Sequence, residues 1–275
     1  MVERHMSQPG GPSRAANALF FVGALVPGTF YLLVVLSLIV ADVAYTSPAV
    51  FLQTIRSEQI LFALKLSLAT SITSTLLSLV VAVPTGYVLA RWRFPGSVLI
   101  DSILDLPIVL PPLVVGVSLL VFFRTAPGRF IENSVVSLVY EPAGIILAQA
   151  VVACAFGIRT VKAAFQAVNP RYENVARTLG AGRLRSFLRV SLPMARNGII
   201  AGTVLVWARS IGEFGPIIIF SGATRMHTEV LPTSIYLELS IGHIEAALAV
   251  ALLMMLMGLV TLVTIKSFGG AATSY

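Results

Sequence analysis

In the run WARSIGEFGPIIIF, residues 207–220, Arg209 and Glu213 stand one helical turn apart among apolar side chains. Opposite charges at that spacing share a helix face, and charges at lipid depth pair or face a cavity. Two readings stay open: a mutually neutralised pair that fixes helix packing, or a cation that biases a route towards anions beside an acid at its gate. The other reactive side chains are scattered. Cys154 is the only cysteine and lies in an apolar run, where it reads as a small core residue. His227 and His243 lack further ligands at metal-binding spacing, so they read as polar surface and no metal is expected. None of the three lysines, Lys65, Lys162 and Lys266, follows a glycine, so the phosphate-cradling G-x-x-x-x-G-K-[ST] loop is missing. Without a nucleophile–base pair or a metal cluster, an intramembrane enzyme has no support.

What must position these residues is a set of membrane helices. Only 11% of the 275 residues are charged and 57% are hydrophobic, with a mean hydropathy of +0.91. A soluble domain carries about 25% charged residues, so water is not the main solvent of this chain. Residues 1–17 are polar and rich in Gly and Pro, which predicts a disordered tail. From Ala15 to Ala41 no residue is charged, a stretch longer than the roughly 7–15 residues of a signal-peptide core, so it reads as a retained span. Crossing the hydrocarbon takes about 20 apolar residues. Spans are expected near 18–42, 61–90, 98–123, 142–162, 197–220 and 244–266, each helical because backbone groups in lipid must bond within their own segment. The expectation is an all-α membrane protein with six transmembrane helices. Its parts are a tail 1–17, a first helix with an external loop 18–59, a transmembrane domain 60–266 and a tail 267–275.

The basic residues set the orientation. With the N-terminus inside, thirteen of the 19 Arg and Lys fall in the cytoplasm, from Arg4 and Arg14 through the 159–196 cluster to Lys266. Arg56, Arg124, Arg129 and Arg225 fall outside, and Lys65 and Arg209 are embedded. The positive-inside rule then puts both termini in the cytoplasm. It also accounts for the net charge of +7 without a nucleic-acid partner. Two spans carry breakers: Pro107, Pro111, Pro112 and Gly116 in the third, Gly212, Gly215 and Pro216 in the fifth. Interior proline removes a backbone bond and kinks a helix. Such bends either reflect the ordinary Pro and Gly content of membrane helices or line a route that opens and closes.

Between spans four and five lies ENVARTLGAGRLRSFLRVSLP, residues 173–193, with four arginines and one acid. Asn169-Pro170 predicts a helix start. Tyr172, Val175, Ala176 and Leu179 then give one apolar face, and Glu173 and Arg177 an i,i+4 pair. Gly180 predicts the helix end, because glycine accepts the left-handed conformation. From Pro170 to Leu179 the helix would be roughly 15 Å long, marginal by itself. After Gly182 a second short helix is expected around Leu184, Phe187 and Leu188, with Pro193 leading to span five. The pattern leaves two homes for the apolar face: the lipid surface or a groove on a partner.

The run E-x-x-A-x-x-L-G-A, followed by Phe187 and Leu192-Pro193, resembles the loop signature of ABC importer permeases, and the wider resemblance covers roughly residues 60–265. Val175 stands where that family usually has Ala, and Asn197 where it often has Pro. The resemblance implies a type I importer permease fold. It implies that Tyr172, Glu173, Ala176, Leu179, Gly180 and Ala181 seat the loop in a cytoplasmic ATPase. That ATPase would hold the ATP and Mg; no cofactor is expected on this chain. It further implies a homodimer and an external binding protein that delivers the substrate. DLPIVLPP and LPTSIYLELSIGHIEAALAV look like the permeases for molybdate and tungstate, whereas sulfate permeases share the ARSIGEFG-like run but differ in the later stretch. Candidate pathway or gate residues are Arg209, Ser210, Gly212, Glu213, Gly215, Pro216, Pro111 and Pro112, with Ser221 and Gly222 as further liners. An ion-coupled secondary transporter is the alternative of a different class, but Asp101 and Asp105 lie near one end of their span and no inverted repeat is visible.

Overall fold

A computed structural model describes residues 14–270; residues 1–13 and 271–275, parts of the two expected tails, lie outside the described residues. Among the described residues the regular structure is entirely helical. α1 (Arg14–Tyr45) is a unit by itself, with Pro27 inside it. It begins at Arg14, within the stretch expected to be a disordered tail. The second unit starts at Pro48 with α2 (Pro48–Arg56), a short helix where a plain loop was expected.

α3 (Glu58–Arg91) is the longest helix, and its ends follow from local chemistry. The Ser57 hydroxyl accepts from the Ile60 amide at the first turn. Glu58 at the start and Arg91 at the end both suit the helix dipole. Along one face Ser67, Thr70, Ser71, Ser74, Thr75 and Ser78 are buried. Most of these hydroxyls donate back to carbonyls of α3 itself, as Thr75 does to Ser71 at 2.6 Å. Small polar residues satisfied in this way let a neighbour approach closely. That neighbour is α7 (Pro142–Ala167), reached across the bundle when Ser78 donates to the Ala150 carbonyl.

The third expected span is two helices, α4 (Ser97–Val109) and α5 (Pro112–Phe122), bent by 111°. Leu110 is extended, as the residue before a proline must be, and the Pro111-Pro112 pair cannot donate the amides that would continue α4. α6 (Ala126–Ser134) follows before α7. Both faces of α7 are buried, so it forms the centre of the unit.

The loop after α7 holds α8 (Arg171–Thr178) and α9 (Arg183–Ser186). α9 is not a separate element. It runs through a π-helical turn, Phe187–Ser191, into α10 (Leu192–Ile211), and residues 183–211 read as one continuous span. The reason is Pro193, which lacks an amide and crowds the carbonyl one turn back. The wider turn, with the Leu192 amide bonded to the Phe187 carbonyl, lets the chain pass without breaking. The expected fifth span ends early at Gly212 and resumes as α11 (Gly215–Phe220). α12 (Leu231–Ser240) and α13 (Ile244–Gly270) complete the described residues, and α13 extends into the expected C-terminal tail. Among the described residues, five helices are long and apolar enough to cross a membrane, or six if α4 and α5 form one bent span.

Candidate functional site

The loop helix α8 is fixed at both ends by its own sequence. Asn169 accepts from the Arg171 amide at 3.0 Å, so it caps the start as expected. At the far end the Ala181 amide reaches back to the Ala176 carbonyl and the Gly180 amide to that of Arg177. This is a Schellman cap, and it requires the left-handed residue that Gly180 supplies at φ +87°.

The faces of α8 are divided sharply. Tyr172, Val175 and Leu179 are exposed, Leu179 at 83%, while Ala176 and Ala181 are half-buried. Glu173 turns inward. Its Oε1 accepts from Arg91 Nε at 2.6 Å and its Oε2 from the Tyr87 hydroxyl at 2.9 Å. The expected Glu173–Arg177 pair is therefore replaced by a bond to Arg91, 82 residues away. Burial alone would raise the Glu173 carboxyl; the Ser191 and Tyr87 hydroxyls and the Arg91 guanidinium around it outweigh that and hold it below the ordinary glutamate value. Beneath the pair, Tyr87 meets Trp92, Phe165 and Phe187 with ring centroids 4.6–5.4 Å apart. Neither Arg91 nor Tyr87 stood out in the sequence. The one available signal was that Glu173 is the lone acid in a loop of arginines.

The two runs of helix breakers come together. A Cβ at Gly215 would lie 2.8 Å from Pro112 Cβ, and one at Gly116 would lie 2.9 Å from Pro216 Cα. Each glycine thus accommodates a proline of the other broken span, and α5 and α11 cross at this seam. Beside it, Arg209 and Glu213 form an ion pair at 2.8 Å, with Glu213 buried and Arg209 part-exposed. Arg209 also lies 5.8 Å from the centre of the Phe156 ring. Ser210 is buried and its hydroxyl donates to the Val206 carbonyl of its own helix, so that hydroxyl has no proton to offer a ligand. Gly212 lines a groove of about 210 Å³ between α10 and α13 with Trp207, Met254 and Met257. A second groove, about 420 Å³, lies between α3 and α10 with Ile72, Thr75 and Trp207. Ser221 is buried with its hydroxyl unpartnered, and Gly222 turns the chain at φ +74°.

At the other end of α3 a second charge network appears that the sequence did not disclose. Arg225 bonds Glu229 at 3.0 Å, Glu238 at 2.7 Å and Gln59 at 3.3 Å. Ser234 donates to Glu229, which is fully buried, and His243 sits 3.2 Å from Glu238. His227 lies 3.4 Å from Glu141. Both histidines thus face carboxylates, and among the described residues no cluster of His, Cys, Asp or Glu is arranged for a metal.

A profile described as the binding-protein-dependent transport system inner membrane component matches residues 82–269. The sulfate transport system permease protein CysT of Salmonella typhimurium is 32% identical over 261 residues, covering 94% of this chain and 92% of that one. The molybdate/tungstate permease WtpB of Pyrococcus abyssi is 42% identical over 167 residues, 61% of this chain and 63% of that one. The molybdenum permease ModB of Escherichia coli is 41% identical over 177 residues, 63% and 77% of the two chains. Among solved structures, a chain of a bacterial ABC transporter involved in import of the acidic polysaccharide alginate superposes with a TM-score of 0.74 at 19% identity, over 94% of this chain and 97% of that one. The fold is that of a type I ABC importer permease. The chain belongs to the family of binding-protein-dependent transport system inner membrane components, and is a multi-pass permease subunit.

Proposed function

We propose that this permease forms the route of an ATP-driven importer for tetrahedral oxyanions of the molybdate and tungstate kind. The observation that carries the ATP-driven part is the exposed face of α8, Tyr172, Val175 and Leu179, with Arg171 and Arg177 also exposed on this helix. A helix of eight residues is marginal alone, and leaving Leu179 in water wastes the burial a partner cleft would supply. In this reading both termini and α8 lie in the cytoplasm, a separate ATPase holding ATP and Mg seats α8, and the chain itself binds no cofactor. Two copies pair about a twofold axis. An external binding protein delivers the anion near the Arg225 end. ATP binding draws the two α8 helices together and opens a route past the Gly/Pro seam, where Arg209 beside Glu213 favours an anion. The route binds weakly so that its cargo is released.

The substrate choice is supported by the 41–42% identity to molybdate and tungstate permeases over 61–63% of the chain. A second reading, sulfate, is favoured by the relative that matches at 32% over 94% of the chain. Both anions are tetrahedral dianions, so the measurement must compare them directly. With the permease, its ATPase and its receptor in vesicles, ATP hydrolysis is expected to rise with molybdate or tungstate and not with sulfate. Stimulation by sulfate alone overturns the substrate choice. Leu179→Glu is expected to abolish co-purification of the ATPase while the chain still reaches the membrane; a complex that survives this change overturns the docking of α8.

A further inference from the structure

The resemblance alone would have Glu173 touch the ATPase, yet both of its carboxylate oxygens are bonded within the chain. We propose that Glu173, Arg91 and Tyr87 pin α8 to the end of α3, so that Glu173 is a positioning residue and the loop helix moves with α3 as one piece.

Three observations carry this. First, both carboxylate oxygens are bonded within the chain, Oε1 to Arg91 and Oε2 to Tyr87, which turns the carboxylate towards α3 and away from the exposed face of α8. Second, the side chains of Arg91 and Glu173 are only 7% and 13% exposed. A buried charge pair is costly to break, because each member left alone is uncompensated. Arg91 is the more committed of the two, since its Nη2 is buried without a partner and Glu173 is the only acid it meets among the described residues. Third, the pin sits on a stack of rings from three elements: Tyr87 of α3, Phe165 of α7 and Phe187 at the π turn leading into α10. The Ser186 hydroxyl adds a contact to the Glu173 carbonyl at 3.5 Å. The exposed apolar side chains of α8 point away from this anchor, which divides the helix into a face held by the permease and a face left for docking. α3 then runs from the pin to Gln59 at the Arg225 network, roughly 50 Å at 1.5 Å per residue. A displacement of α8 is therefore handed to a helix that spans the whole unit.

The relay rests on docking of α8 by an ATPase; the pin does not, and the test separates them. Amide hydrogen exchange across residues 171–179 is measured on the purified chain in lipid nanodiscs. Arg91→Gln is expected to speed exchange there about tenfold with α7 unchanged. Tyr87→Phe, which loses one hydroxyl, gives about threefold, and Arg91→Lys, which keeps the charge, stays closer to wild type than Arg91→Gln. Equal exchange in all variants, or an equal rise in α7, overturns the pin. In the assembled transporter the ATPase is expected to co-purify with Arg91→Gln and Glu173→Gln alike, while substrate-stimulated hydrolysis falls about tenfold and Arg91→Lys restores part of it. Loss of co-purification with Glu173→Gln alone overturns the assignment, because the carboxylate would then be holding the partner. Full stimulation in Arg91→Gln overturns the relay. A wild-type chain that captures no ATPase sinks the docking reading instead, and the exchange rates still decide the pin.

Discussion

The two ends of α3 carry charge in opposite ways. At its start, Arg225 joins Glu229, Glu238 and Gln59, and His243 stands beside Glu238, so three segments of chain close around buried acids. At its end, Arg91 takes the one acid of the loop, and Arg177, Arg183, Arg185 and Arg189 have no ion pair among the described residues. The first network pairs its cation with acids of its own chain and ties elements together, leaving only Glu229 Oε2 of that set buried without a hydrogen bond. The second uses its one acid in an anchor and leaves cations and an apolar helix face open, the surface that the docking proposed above would use. Unpaired arginines beside exposed Leu179 and Leu184 match an apolar cleft with an acidic rim.

This contrast is open to direct test. The largest effect is expected from Arg225→Ala, which strands two buried carboxylates, Glu229 and Glu238, without their shared cation. A loss of about 3–5 kcal/mol is expected as a lowered melting temperature in detergent; a variant that melts like wild type breaks the idea that this end is held by charge. Acid sharpens the comparison at the other end. The Glu173 carboxyl is held below its ordinary value in the folded chain, so the pin contributes stability above the unfolded-state value and loses it as pH falls through the depressed folded value. Taken relative to the intrinsic rate of an unprotected amide at each pH, exchange across α8 is expected to stay slow through mildly acidic pH and to accelerate only below the ordinary glutamate range. Acceleration already near neutral pH contradicts the pin. The smallest effect is expected from Gly180→Ala. No atom lies within 4 Å of the added Cβ, so the cost is the left-handed backbone alone, about 1 kcal/mol. It is read as faster exchange confined to 171–181, and a cost several times larger would mean that the cap is held by contacts as well.

Much of the fold was legible because lipid leaves few choices. A long, mostly apolar run must be helical, and the runs at 61–90 and 142–162 fall within α3 and α7. The cap at Asn169 and the stop at Gly180 were legible for the same kind of reason: each is decided by one residue and its immediate neighbours. The third and fifth spans were placed but not their breaks. Proline and glycine mark where a helix is able to bend, whereas the 111° angle between α4 and α5 depends on what packs there. Arg209 and Glu213 were paired correctly because four residues separate them. Glu173 was paired wrongly for the converse reason: a nearby Arg177 looked sufficient, and burial beside the Tyr87 rings selected Arg91 instead.

The sequence by itself determined the solvent, the long apolar helices, the cap and stop of the loop helix, and the loop signature of the family. These depend on composition and on partners within a turn or two of one another. Tertiary structure alone decided which acid meets which arginine across the bundle, that Gly116 and Gly215 receive each other's prolines, and which face of α8 stays free. Pairings over more than 80 residues depend on how helices approach and on what that approach removes from water, and no local spacing encodes either.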